Sequence, residues 1–186
     1  MMRATLRSLL AVTLLALIGA QPPTAQATEP PLSPIQQMFI MKKLKPDVER
    51  VGIIWTEGAA AHDEMMPTIR RAAAASNVKL FVAYVQGPKD VSAHFRQLVS
   101  KHDIQTLWIV DDSGVLSTNI ARNYLIKNTT QEGIPILAPS QDWVSAGASV
   151  AMHKENGEIR LVLNKAATDA TAITVPSDYE AQAEYL

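Results

Sequence analysis

Four short stretches place hydroxyl, carboxylate and amide side chains directly after apolar runs: Thr56-Glu57-Gly58-Ala59, Gln86-Gly87-Pro88, Asp111-Asp112-Ser113-Gly114 and Ala138-Pro139-Ser140-Gln141-Asp142-Trp143. Residues of these types hold small polar or zwitterionic molecules. Hydroxyls and the amides at helix starts take an acid group, carboxylates take an amine, and aromatic surface takes an apolar part. The same residues have a plainer use. Asp111, Asp112 and Ser113 stand before a predicted helix, where Asp and Ser are preferred caps. Ser140 stands where an N-cap belongs, and Trp143 suits packing on a sheet edge.

Other chemistries lack their residues. His62, His94, His102 and His153 are dispersed, without the His-x-x-x-His or His-Glu-x-x-His spacing that sets two ligands on one helical face, so no metal site is expected. His62-Asp63-Glu64 reads as the solvated start of a helix. There is no Gly-x-Ser-x-Gly elbow, phosphate loop or Gly-x-Gly-x-x-Gly fingerprint, so neither a cofactor nor an enzymatic activity is expected. A phosphate-accepting aspartate needs an acidic pair after the first strand, which here ends in Thr56-Glu57. The chain has no cysteine, which excludes a disulfide scaffold, a thiol nucleophile and thiolate-held metal. Its net charge of -1 excludes nucleic-acid binding by bulk charge, because such binding needs a basic surplus to displace counterions.

The elements that must position these loops follow from the hydrophobic pattern. Arg3 and Arg7, the apolar run Leu9–Ala20 and Ala25-Gln26-Ala27 have the make-up of a secretory signal peptide over residues 1–27. Cleavage after Ala27 and export to a bacterial periplasm are expected. Residues 28–34 are proline-rich and read as an extended leader. A short helix then starts near Ile35, with Ser33 as cap and Pro34 in its first turn, and ends at Lys45-Pro46-Asp47. A strand is predicted over Arg50–Thr56, a helix over 61–76, a strand over Val78–Val85 and a helix over Val91–His102. Next come a strand over Thr106–Val110, a helix from Gly114 to about Lys127, a strand over Ile134–Ala138, a helix over Ser140–Ala146 and a fifth strand over Ala148–Met152.

Apolar strands separated by helices require crossover connections. They predict an α/β fold with a doubly wound, mostly parallel sheet of about four to six strands. In such a sheet, ligands sit beyond the carboxyl ends of the strands, where the four loops gather. Trp55 and Trp108 lie inside strands and are expected in the core. Two forms are open for the following segment. Asn156-Gly157 can turn a hairpin between Ser149–His153 and Ile159–Leu163, or a helix can run from Lys154 to Ala167; the helix is preferred. A last strand is expected at Ala172–Val175, and residues 177–186 as a tail or helix turn.

Leu44–Trp55, Thr106–Ser113, Gly133–Ala138 and Gln141–Ala148, in this order and spacing, resemble the periplasmic substrate-binding proteins of ABC transporters. The resemblance covers about residues 35–176. It implies a type I periplasmic-binding-protein fold, in which two lobes close on a ligand; this chain resembles a single lobe, the second. By the same resemblance, the family's ligand-contacting loops correspond to Thr56, Glu57, Asp111, Asp112, Ser113, Ser140, Gln141 and Asp142. The family's frequent Tyr-Asn-Pro after the first strand is replaced by Thr56-Glu57-Gly58. The resemblance implies an exported solute-binding-like protein for uptake or sensing, with a small-molecule ligand and an ABC permease or another envelope receptor as partners. The alternative is an accessory component of an envelope system that binds protein, or a second copy of itself as a homodimer, with no small-molecule ligand.

Overall fold

The computed structural model describes residues 31–186. The signal peptide expected over residues 1–27, its cleavage after Ala27 and the first residues of the leader lie outside them. Ser33 caps the first helix, α1 (Pro34–Leu44), as expected. Its side chain accepts from the Gln36 amide and the Gln36 side chain accepts from the Ser33 amide, a reciprocal capping box. Lys42 Nζ donates to the carbonyls of Pro46 (2.7 Å) and Val48 (2.8 Å), tying the turn that follows to the helix end.

The alternation then runs as β1 (Arg50–Thr56), α2 (His62–Ala75), β2 (Lys79–Val85), α3 (Pro88–His102) and β3 (Thr106–Trp108). It continues through a 3-10 turn (Gly114–Ser117) into α4 (Asn119–Gln131), β4 (Ile136–Ala138), α5 (Gln141–Ser145) and β5 (Val150–Glu155). The chain closes with β6 (Glu158–Leu163), α6 (Lys165–Ala170), α7 (Ser177–Glu180) and β7 (Ala183–Tyr185). The seven strands form one sheet in the order β2-β1-β3-β4-β5-β6-β7. The first five are mutually parallel, β6 is antiparallel to β5, and β7 is parallel to β6.

Burial on both faces follows the period of two along each strand. Ile54, Leu107 and Ile109 join one buried cluster with Phe95, Leu125 and Trp143. Ile53, Trp55 and Trp108 join the other with Met41, Leu44 and Ile69. The sheet is thus covered by α3, α4 and α5 on one face and by α1 and α2 on the other, the doubly wound arrangement expected. Trp55 and Trp108 are fully buried core, also as expected.

Four expectations are corrected. The sheet has seven strands, more than the expected four to six. The preferred helix over 154–167 is a hairpin of β5 and β6. Asn156 (φ 54°) and Gly157 (φ 79°) both take the positive φ of a two-residue hairpin turn. Leu161, Val162 and Leu163 are consecutive and all buried, which suits a strand covered on both faces and not a helix that buries one side. The third helix is split: a 3-10 turn precedes α4, whose cap is Thr118, accepting from the Ala121 amide. Residues 172–175 are not a strand. Ile173 and Val175 pack on the α1 side of the core, and the Thr174 amide donates to the Leu44 carbonyl (3.0 Å). The last strand comes from the expected tail instead: the Leu161 amide donates to the Gln182 carbonyl and the Leu186 amide to the Leu163 carbonyl.

Asn164 joins this end to the centre. Its Oδ1 caps α6 by accepting from the Ala167 amide (3.0 Å), and its Nδ2 donates to the Val144 carbonyl (3.2 Å). Asn164→Ala is expected to cost about 1–2 kcal/mol, seen as a lower urea midpoint with an unchanged slope.

Candidate functional site

The strand order reverses direction between β1 and β3, because β2 lies on one side of β1 and all later strands on the other. At such a switch point two neighbouring loops leave in opposite senses and open a crevice at the carboxyl edge. Here they are the loops after Thr56 and after Val110. They touch directly: Thr56 Oγ1 donates to the Ser113 carbonyl at 2.8 Å. Gly114 permits this approach. Its φ is 60°, and a Cβ built on it would lie 2.7 Å from Thr56 Cγ2. Only glycine takes this conformation without strain and without a clash at the crossing.

The rim extends from this crossing in both directions. Glu57 Oε2 accepts from Gln86 Nε2 at 2.7 Å, joining the β1 and β2 loops. Asp111 accepts from the amide (3.0 Å) and hydroxyl (2.7 Å) of Ser113, which folds the β3 loop on itself. Asp112 Oδ2 accepts from Trp143 Nε1 at 3.1 Å, joining the β3 and β4 loops. Trp143 is therefore more than edge packing: it is 1% exposed and the only polar atom of its side chain reaches the rim. Asp111, Asp112 and Ser113 do not cap α4, since Thr118 does; Ser113 takes the N-cap position of the 3-10 turn without a capping bond from its side chain. Ser140 takes the N-cap position of α5, again without a capping bond.

Seven of the eight predicted residues thus lie on the rim from the β1 loop to the start of α5. Thr56 and Glu57 line one cavity there, of about 510 Å³, with Gly58, His62, Asp63 and Tyr84. Gln141 is set apart. It lines a separate groove of about 290 Å³ with His153, Arg160, Gln182 and Glu184, on the hairpin side. Asp142 is exposed in the first turn of α5.

Sequence reasoning missed His62, Asp63 and Tyr84. His62 is partly buried: its Nε2 is 2.7 Å from Tyr84 Oη, its Nδ1 is 2.9 Å from Asp63 Oδ1, and its ring meets the edge of Trp55. The available signal was positional. Tyr84 is the penultimate residue of its strand and His62 the first of its helix, so both stand at the carboxyl edge of neighbouring parallel strands.

The electrostatics of the rim are one-sided. Glu57, Asp111, Asp112 and Asp142 stand in the segments 56–61, 86–88, 111–118 and 138–146, which contain no Lys or Arg; just beyond them Asp63 lies in the first turn of α2, and Lys89 and Asp90 in the first turn of α3. Such a surface favours a cationic group and opposes a free anion. Among the described residues, no cluster of His, Asp and Glu suits a metal ion.

The chain matches the family profile described as ABC transporter substrate binding protein over residues 32–161. Three solved structures share its fold. A conserved domain protein from Vibrio cholerae is 22% identical, with a TM-score of 0.68 over 83% of this chain and 60% of that one. A Streptococcus pneumonia ABC domain in complex with L-Trp is 14% identical, with a TM-score of 0.70 over 82% and 59%. The ligand-free, open form of a Clostridium difficile substrate binding protein with adhesive properties is 14% identical, with a TM-score of 0.66 over 83% and 60%. The chain spans about 60% of the length of these proteins, and the likeness is that of one α/β lobe of the periplasmic-binding-protein type. No curated protein matches its sequence. The profile match, which takes in β1 to β5 together with all four rim loops, places the chain in the ABC transporter substrate binding protein family.

Proposed function

We propose that this protein is exported and holds a small polar or zwitterionic molecule on its carboxyl-edge rim, for uptake or sensing. One observation carries the reading. Loops that the fold brings to its switch point are already tied to each other, and they present carboxylates with no Lys or Arg among them. A ligand amine would meet Glu57 and Asp63 in the cavity beside Tyr84, and the hydroxyls and amides of the β3 and β4 loops would take a ligand acid group. Family membership supports solute binding, and the L-Trp bound by the streptococcal protein is a zwitterion. Delivery to an ABC permease or another envelope receptor belongs to this reading. Export with cleavage after Ala27 rests on the sequence of residues 1–27.

A thermal-shift screen of amino acids, amines and simple carboxylates tests it. A ligand present at 100 times its Kd stabilises by about 2.7 kcal/mol. For a domain of this size that raises the melting temperature by roughly 5–10 °C. Amine-bearing compounds are expected to give this shift and simple carboxylates none, and Glu57→Gln is expected to reduce it. A panel with no shift sinks the reading.

That outcome would favour the second reading, a protein-interaction component of an envelope system. A specific observation supports it: Glu57, Asp111 and Asp112 already spend hydrogen bonds on Gln86, Ser113 and Trp143, which makes the rim a rigid, preformed surface.

A further inference from the structure

We propose that Tyr84 selects the ligand's ammonium group as a lone-pair acceptor, and that His62 sets this polarity, so that the cavity binds an ammonium while His62 is neutral and releases it when His62 gains a proton. The proposal rests on the reading of the rim as a site for an amine. It adds the residue that chooses the charge of the ligand and the group that controls it.

Five residues bring polar side chains to the cavity: Thr56, Glu57, His62, Asp63 and Tyr84. Each proton on them has a partner. The Thr56 hydroxyl donates to the Ser113 carbonyl at 2.8 Å. Glu57 accepts from Gln86 Nε2 at 2.7 Å and has no proton to give. Asp63 is also a carboxylate, and its Oδ1 lies 2.9 Å from His62 Nδ1, which assigns the ring proton to Nδ1. A neutral imidazole has one N–H, so Nε2 presents a lone pair. The Tyr84 hydroxyl, 2.7 Å away, donates to it. What these side chains still have to offer is lone pairs. An ammonium gives three N–H and accepts nothing, so it suits this set.

Protonation of His62 reverses the chain. Nε2 then carries a proton and donates to Tyr84 Oη, while Nδ1 keeps its bond to Asp63. The Tyr84 hydroxyl becomes an acceptor from His62, and its own proton is released toward a ligand. An ammonium now meets a donor in place of an acceptor, with a second positive charge behind it. The groups facing His62 are Glu57 from the β1 loop, Tyr84 from β2, the Trp55 ring from β1 and Asp63 from its own helix. Glu64, the next residue of α2, is exposed and outside the lining. The lysines of α1, which packs on α2, are at its far end. Lys42 holds the carbonyls of Pro46 and Val48, and Lys43 lies over the Phe39 ring. Among the five cavity residues, only histidine is of a type that changes charge between about pH 5 and 8.

The test is calorimetric titration of the purified protein with diaminobutane and ethanolamine, and with succinate as the anion, at about pH 8 and about pH 5.5, a window in which alkylamines and carboxylates ordinarily keep their charge. Both amines are expected to bind about 10–100-fold more weakly at the lower pH, the worth of a hydrogen bond to a charged group. Tyr84→Phe keeps the ring and is expected to cost about 10–100-fold at the higher pH. His62→Gln is expected to cost about 3–10-fold there and to flatten the pH profile to within about 2-fold. Nitrogen NMR of the His62 ring at the higher pH is expected to show the proton on Nδ1, with the Nε2 signal shifted by Tyr84→Phe. Amine binding that is equal at both pH values, or tighter in acid, overturns the proposal and leaves the rim reading standing. So does a proton on Nε2 at the higher pH. A pH profile that survives His62→Gln assigns the effect to His94, His102 or His153 and overturns it as well. If neither amine nor succinate binds at either pH, the rim reading falls and the proposal with it.

Discussion

Trp143→Ala is expected to lower the stability of the fold by about 3–5 kcal/mol, the range for truncating a fully buried aromatic side chain. A domain of this kind holds about 5–15 kcal/mol in total, so the variant stands near the edge of unfolding at ambient temperature. The size of the effect follows from position. Trp143 is 1% exposed and belongs to the buried cluster that includes Leu125, Val144, Ala148 and Val162. It sits in a five-residue helix that cannot hold its shape without tertiary support. The loss has a second part at the rim, because Asp112 gives up its Nε1–H partner. Trp143→Phe separates the two. It keeps most of the ring burial and is expected to cost about 1–2 kcal/mol, chiefly the lost hydrogen bond and the smaller ring. Denaturant unfolding of both variants decides the matter. Equal costs would mean that the indole N–H carries the effect, and a cost below about 1 kcal/mol for Trp143→Ala would remove Trp143 as the support of the β4 loop.

Gly114→Val is expected to cost about 3 kcal/mol or more and to abolish ligand stabilisation in the thermal-shift assay. Two terms add. A β-branched residue at φ 60° is strained by about 1–3 kcal/mol. Its Cβ would also stand 2.7 Å from Thr56 Cγ2 and 3.2 Å from Thr56 Oγ1, an overpacking worth about 1–3 kcal/mol. The chain relieves the clash by parting the β1 and β3 loops, which breaks the hydrogen bond from Thr56 to the Ser113 carbonyl. Gly114→Ala is the milder form, at about 2 kcal/mol. Thr56→Ser in the same chain removes the clashing methyl and keeps the hydroxyl. It is expected to recover about 1 kcal/mol of the Gly114→Ala loss. If it recovers nothing, the crowding at the crossing is not what glycine relieves.

These residues mark how far the sequence was legible. Thr56, Asp111 and Ser113 were readable as one locus, because each follows a buried strand and parallel strands bring their carboxyl ends together. That Thr56 crosses to Ser113 was not readable, since it depends on β2 lying outside β1 and on the φ of Gly114. Gln141 was grouped with the other loops by its position after β4. Its helix instead turns it toward the β5–β6 hairpin, which forms only through pairing between the two strands. His62 and Asp63 looked like an ordinary helix start because Tyr84, their partner across the cavity, is 22 residues away from His62. Three consecutive buried positions, Leu161 to Leu163, suit a strand covered on both faces, and β5 offers the neighbouring strand that makes it one.

The amino-acid sequence alone determined the alternation of buried strands and amphipathic helices, hence the parallel sheet and the edge at which its loops collect. These follow from local periodicity, which each segment carries within itself. The tertiary structure alone decided which loop groups meet, that Trp143 holds Asp112 across 31 residues, and that the end of the chain closes the sheet as β7. Those features depend on contacts between residues distant along the chain, and such contacts leave no period in the sequence between them.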